Sequence, residues 1–364
     1  MNKNEKDITI LAIETSCDET AAAVVKNGRE VLSNVIHTQI AIHETYGGVV
    51  PEIDSRENIK RINQLIKKAL ADSGVDKKEL DCVGVTYGPG LVGALLTGVS
   101  VAKAFAFAAG LPLVGVNHIE GHICANFIAT PDLEPPFLCL VVSGGHTHLT
   151  VVHDYCEYEL IGRTRDDAAG EAFDKVARAI GLGYPGGPKI DAAAKTGNPH
   201  AFDFPKAKVN GSAYDFSFSG LKSAVLNTIH NASQRNGSAS SETLSNLALD
   251  ADSQTDASLY GLNRNDIAAS FEQAVVDVLA EHSMLALKEY GYKKLALAGG
   301  VAANSALRER LSAECQRRKI GFYCPPPALC TDNAAMIGSA AYYRFCRGEL
   351  AGWDLNAIPG LKLL

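Results

Sequence analysis

Two histidines stand four residues apart in VNHIEGHICAN, residues 116–126. On a helix, His118 and His122 share one face and can hold one metal ion between them. The bland reading is two polar residues on a helix beside a cleft. A zinc peptidase needs Glu directly after the first His, as general base. Ile119 occupies that place here. The nearest acid, Glu120, lies about 200° round the helix from His118 and faces away from a metal. The spacing suits a metal without requiring one, and it argues against peptide hydrolysis.

Glycine-bearing turns supply a second kind of chemistry. In IETSCDET (13–20) and VSGGHTHL (142–149), a strand turns straight into another through small and polar residues. Such turns expose backbone N–H groups that can hold phosphate oxygens, and Gly144 and Gly145 let a ligand approach the backbone closely. Read alone, each is a hairpin with a polar turn. LAGGVAANSALRERL (297–311) places a Gly pair between strand and helix, where a base or ribose can lie and Asn304 can hydrogen-bond it. GYPGGPKID (183–191) offers Asp191 as an acceptor for ribose hydroxyls. Asp332, in CTDNAAMIG, is either a helix N-cap or a metal ligand, and spacing alone leaves both open.

These residues must be positioned by regular elements. ITILAIETS (8–16), AAAVVKNG (21–28) and EVLSNVI (30–36) read as strands. A helix follows over 51–73, ended by Gly74, with Lys60, Arg61, Lys67 and Lys68 on its solvated side. Strand 82–88, helix 91–109, strand 113–117 and the histidine helix complete the first half. The second half opens alike: strands 137–145, 146–154 and 158–164, then helix 168–181. Strand 294–300, helix 303–317, strand 320–324 and helix 333–347 follow. Two β-β-β-α-β-α-β-α units predict an α/β protein of two lobes, 1–133 and 134–332, facing a cleft. Helix 333–347 is expected to rejoin the first lobe. Segment 231–263 has no apolar period and carries one Arg against four acids, which reads as a mobile surface insertion.

The 364 residues exceed one comfortable core, in keeping with two lobes. A net charge of −7 gives no global basic signature for nucleic acid, so such a partner needs a local face. Nine scattered Cys without a CxxC pair read as reduced thiols of a cytoplasmic protein. Glu14 interrupts the first apolar run, and 104–116 is too short to span a bilayer, so neither a signal peptide nor a membrane span is expected.

The ordered set IETSCDET, GPGLVGALLTG, NHIEGH, VSGGHTHL, AGEAFDKVAR, GYPGGP, FSFSGLK, GGVAAN and CTDNAAMIG resembles the TsaD family, the tRNA N6-adenosine threonylcarbamoyltransferases, in its bacterial form. The resemblance covers nearly the whole chain outside 231–263. It implies a duplicated fold of the actin, sugar-kinase and heat-shock ATPase type (ASKHA, RNase H-like). It implies transfer of threonylcarbamoyl from threonylcarbamoyl-AMP to N6 of adenosine 37 in tRNAs reading ANN codons, with release of AMP. By the same resemblance His118, His122 and Asp332 look like ligands of one divalent metal, usually Fe2+, with Zn2+ also suited. Val141, Val142, Ser143, Gly144 and Gly145 look like the acyl-adenylate loop. Asp174, Gly187, Asp191 and Asn304 look like nucleotide contacts. Two protein partners are implied, the inactive paralogue TsaB and the small ATPase TsaE.

No base for the amine proton is legible; Glu14, Asp18 and Glu19, near the first turn, are candidates. The competing reading is an actin-like ATPase or kinase using the same cleft, which would hold Mg2+ through acids and phosphates rather than two helical histidines. Because no matched motif falls in 231–263, a chain lacking it is expected to keep tRNA modification, measured by mass spectrometry of tRNA nucleosides.

Overall fold

A computed structural model describes residues 6–206, 209, 211–235 and 258–363. The first lobe opens with β1 (Thr9–Glu14), β2 (Glu19–Lys26) and β3 (Glu30–Thr38). Then come α1 (Ile40–Glu44), α2 (Pro51–Ser73), β4 (Cys82–Gly88), α3 (Val92–Ala109), β5 (Leu113–Asn117) and α4 (His118–Ala129). The second contains β6 (Phe137–Val142), β7 (Thr147–Asp154), β8 (Glu157–Arg163), α5 (Ala169–Ala179), α6 (Gly186–Ala194) and α7 (Ser219–Arg235). A short ladder of β9 (Ser258–Leu259) and β10 (Leu262–Asn263) leads into α8 (Arg264–Tyr290). The chain continues through β11 (Lys294–Ala298), α9 (Ser305–Arg318), β12 (Gly321–Tyr323), α10 (Pro327–Cys330) and α11 (Ala334–Cys346).

The two sheets share one topology. Their strand orders are β3-β2-β1-β4-β5 and, read in the same sense, β8-β7-β6-β11-β12. In each, the first strand pairs antiparallel with the second and parallel with the fourth. The duplicated α/β architecture expected from element order is thus present. Strand β2 begins at Glu19, because Glu19 pairs with Thr38 of β3, so the polar turn is shorter than the sequence indicates. Helices α6, α7 and α8 are additions that the apolar period did not disclose. Segment 231–263 is not one insertion: 231–235 finish α7, and Leu259 is buried in the second core. Its middle, 236–257, lies outside the described residues, and the deletion above is therefore narrowed to that stretch.

Three apolar cores alternate with the sheets. The outer face of the first sheet takes α2 and α3, through Ile62, Ile66, Val99 and Ala102. By length and apolarity α3 could cross a membrane, but Leu95, Val99, Ala102 and Ala106 are buried against the protein. The outer face of the second sheet takes α5 to α9. Between the sheets lies the third core, built from Ile10 and Ala12 of β1, Cys139 and Val141 of β6, Ala296 and Ala298 of β11, and helices α4 and α11. Helix α4 touches β4 and β5 on one side and β6 and β11 on the other. Helix α11 returns to pack on β1, β2 and α4.

A helix buried on all sides must satisfy its polar groups from neighbours. Asn117 caps the start of α4, accepting from the backbone N–H of Ile119 at 2.9 Å, and itself donates to Lys362 O at 2.9 Å. At the other end Arg29 donates to the carbonyls of Phe127, Pro131 and Leu133, placing a cation where the helix dipole is negative. Midway, Glu120 is fully buried; it accepts from Arg344 Nε of α11 at 2.6 Å and from the Tyr158 hydroxyl of β8 at 3.1 Å. One carboxylate thereby ties α4, α11 and the second sheet together. Removing one partner of a buried pair strands the other charge, so Arg344→Ala is expected to cost about 3–5 kcal/mol of stability. Glu120→Leu with Arg344→Leu should cost less than that single change, as read from urea unfolding midpoints.

Candidate metal centre and donor cleft

Capping by Asn117 makes His118 the first residue of α4 and sets His122 one turn on. The imidazole rings meet edge to face, centroids 4.6 Å apart. Asp332, immediately before α11, reaches both: its Oδ1 lies 3.4 Å from His118 Nε2 and 3.2 Å from His122 Nε2. One ligand atom from each residue falls within 4.8 Å of the others. The cap of α11 is Asn333, whose side chain accepts from Met336 N, so Asp332 is not needed as the cap. Glu120, held by Arg344 and Tyr158, points away from the three, as helical spacing requires.

The chemistry of these atoms suits a cation. Both ring nitrogens of His122 are buried without a hydrogen-bond partner, and the 3.2 Å approach to Asp332 lacks hydrogen-bonding geometry. An orphaned buried imidazole is costly unless something binds it. Burial disfavours a charged His118, but Asp332 and Glu14 outweigh it and push its pKa well above the ordinary range. Burial together with Asp332's partner His118 leaves His122 the reverse, with its pKa lowered. Negative groups also accumulate: burial, then Asp18 and Asp332, raise the Glu19 pKa well above its usual value. Two imidazoles and a carboxylate are a donor set for Fe2+, Zn2+ or Mn2+, with coordination positions left for substrate.

Around this centre the two polar turns converge. Ser16 Oγ lies 3.1 Å from His118 Nδ1, and His146 of the second turn senses the charges of His118, His122 and Asp332. Val141 and Val142 are buried at the end of β6. Ser143 N donates to His146 O at 2.8 Å, and Ser143 Oγ accepts from His146 N. Beyond Gly144 and Gly145 the space is open, as a backbone cradle requires. Gly299, at φ +91°, presses against the Val142 carbonyl so closely that no Cβ fits.

The residues expected to contact a nucleotide lie within α5 (Asp174), in α6 (Gly187 and Asp191) and at the start of α9 (Asn304). Asp174 accepts from Gly186 N at 2.7 Å, Gly187 faces open space, and Asp191 accepts from Ser305 Oγ at 2.5 Å. Asn304 caps α9 through Leu307 N and donates to Glu272 Oε1 at 2.6 Å. Glu272 was not legible in the sequence, since α8 carries no motif around it. Across the cleft Tyr184 donates to Asp18 Oδ2 at 3.3 Å, and Lys189 pairs with Glu44 at 2.6 Å.

Residues 30–339 match the TsaD family, described as tRNA N6-adenosine threonylcarbamoyltransferase. The chain belongs to the TsaD family. A relative of that description from Clostridium botulinum (strain 657 / Type Ba4) is 55% identical over 359 residues, covering 99% of both chains. One from Clostridium kluyveri (strain ATCC 8527) is 53% identical over 360 residues, again covering 99% of each. Among solved structures, full-length HypF in a phosphate- and nucleotide-bound form superposes with TM-score 0.60 at 15% identity, over 95% of this chain and 47% of that one. At that identity the likeness shows the shared actin-like fold alone. TsaD membership makes a metal-dependent transferase with tRNA as substrate, consistent with the histidine pair and the open glycine cradle.

Beneath the first turn lies a buried polar cluster. Asp54 Oδ1 accepts from Gln39 Nε2 at 3.1 Å and Asn58 Nδ2 at 3.2 Å, while its Oδ2 has no partner. Burial, then Asp18, pushes the Asp54 pKa up to about 7. Between its ordinary value of 3.8 and about 7, only the unfolded chain ionises, so stability falls as pH rises through that window. Asp54→Asn should remove that loss, gaining on the order of 2–4 kcal/mol relative to the parent by pH 7 and little at pH 4, read from unfolding midpoints at both pH values.

Proposed function

We propose that this cleft moves the threonylcarbamoyl group of threonylcarbamoyl-AMP onto N6 of adenosine 37 in tRNAs reading ANN codons, releasing AMP and forming t6A. The observation that carries the reading is the convergence of His118, His122 and Asp332 beside the open Gly144–Gly145 turn. The three residues hold one divalent metal, Fe2+ by family resemblance, with Zn2+ suited to the same ligands. When bound, that ion supplies Lewis acidity and a template for the donor's oxygens.

The chain's own groups do the rest. The 141–145 segment presents backbone N–H groups to the acyl-adenylate, and Asp174, Gly187, Asp191 and Asn304 seat its nucleotide. The N6 lone pair is delocalised into the adenine ring, so the donor must be strongly activated. The new bond joins N6 to the carbamoyl carbon; the bond from that carbon to the phosphate oxygen breaks, and AMP leaves with its electron pair. The amine proton passes to a carboxylate of the first turn, Asp18 or Glu19. TsaB and TsaE act as protein partners, and tRNA as substrate places the reaction in the cytoplasm.

With the donor, TsaB and TsaE present, the chain should convert adenosine 37 of an ANN-reading tRNA to t6A, detected in nucleoside digests. His118→Ala, His122→Ala or Asp332→Ala should each lower the rate by at least about 100-fold. Stripping the metal with a chelator should do the same, with recovery on adding Fe2+ or Zn2+. An unmodified adenosine 37 in a mixture where the Clostridium botulinum relative works would refute the assignment.

A further inference from the structure

Glu14 closes β1 and is completely buried. Its carboxylate is held from three directions. Ser16 N donates to Oε1 at 2.5 Å, the Thr86 hydroxyl of β4 donates to Oε2, and His118 Nδ1 lies 3.3 Å from the same Oε2. Strand β1 lies between β2 and β4, so its end stands where the sheet's connections diverge, directly under the first residue of α4.

The two neighbours of His118 Nδ1 differ in what they dictate. Ser16 Oγ, at 3.1 Å, can donate or accept, and so tolerates either imidazole tautomer. Glu14 Oε2 already accepts from the Thr86 hydroxyl and so meets Nδ1 as an acceptor. Its presence requires a proton on Nδ1, which leaves the Nε2 lone pair free on the side of Asp332. Were Ser16 alone there, it could donate to Nδ1, put the proton on Nε2 and close that nitrogen to a metal. His122 has no such director, since neither ring nitrogen has a hydrogen-bond partner.

We infer that Glu14 is a positioning residue of the metal centre: it fixes His118 as the Nδ1–H tautomer and so sets the affinity of the His118–His122–Asp332 site for a divalent cation. This rests on the metal reading of that site. A carboxylate behind a ligating imidazole orients the ring and raises its basicity, and losing it weakens binding about 10–100-fold. Glu14 also occupies its lone pairs on Thr86 and Ser16, which leaves it poorly placed to collect the amine proton.

The test uses the full chain stripped of metal and titrated with Co2+ against a chromophoric chelator. The parent should bind one Co2+ per chain with a visible spectrum, and His118→Ala should lose both. Glu14→Gln, whose amide can donate to Nδ1, should bind about 10–100-fold more weakly with a shifted spectrum. Glu14→Asp, still acceptor-only, should recover part of the affinity. Nitrogen-15 spectra of the Zn2+-loaded parent need no variant and should show His118 carrying its proton on Nδ1. Equal binding by parent and His118→Ala would remove the metal site, and this inference with it. A working parent site with Glu14→Gln matching it in affinity and spectrum, or a metal-loaded His118 with its proton on Nε2, would overturn the inference alone.

Discussion

Helix α4 is enclosed between two sheets, and water reaches almost none of it. Its polar side chains, His118, Glu120, His122 and Asn126, must therefore find partners in the protein. His118 meets Glu14 and Ser16, Glu120 meets Arg344 and Tyr158, and Asn126 donates to Leu297 O of β11. Only His122, among these, has both polar atoms unanswered. The rest of the middle layer follows from that constraint. Small residues of α11 let it lie close beside α4, Arg344 brings the counter-charge, and Arg29 and Asn117 finish the helix ends. The metal proposed for this site would answer the His122 nitrogen that faces Asp332.

Much of this was legible in the residues. Strands buried on both faces read as continuous apolar runs, so β1, β4, β6 and β11 declared themselves. The repeat of element order gave the duplicated sheets. The i,i+4 histidines and the misplaced Glu120 separated a metal site from a peptidase, because helical angle depends only on spacing. Less legible was anything set by long-range meeting. Asp332 is 210 positions beyond His122, and its neighbour Asn333 is an equally good cap by type. Glu14 looked like one carboxylate among three, since its role depends on Thr86 and His118 rather than on its own stretch. Glu272 lies in a long helix, and only its meeting with Asn304, 32 positions on, sets it apart. Helices α6 to α8 were missed for different reasons: α6 is short and opens on Gly186 and Gly187, α7 has an interrupted apolar period, and α8 is buried on so many sides that no single apolar face stands out.

The electrostatic design is uneven across the cleft. The metal side concentrates Glu14, Asp18, Glu19 and Asp332, and the nucleotide side Asp174, Asp191 and Glu272. Burial raises the pKa of Glu19 and Asp174 and brings Glu272 to about 7. So many acids near a substrate that carries phosphate would repel it. On the proposed reading, backbone N–H groups of the glycine turns and a metal at the triad would offset that repulsion locally. Selectivity then lies in geometry: an anion is welcome only where the cradle and the cation stand together.

The crossing of α11 back to the first sheet also has a meaning for biosynthesis. Asp332 and the helix after it leave the ribosome well after the strands and helices of the first lobe. Until then β1 and β2 lack the cover of Ala335, Ile337 and Tyr343, and the histidine pair lacks its third ligand. The first lobe is thus made early but cannot be finished alone. On the proposed reading, a metal could be loaded only after Asp332 has been made, and a chain stopped before it would carry two histidines without their third ligand.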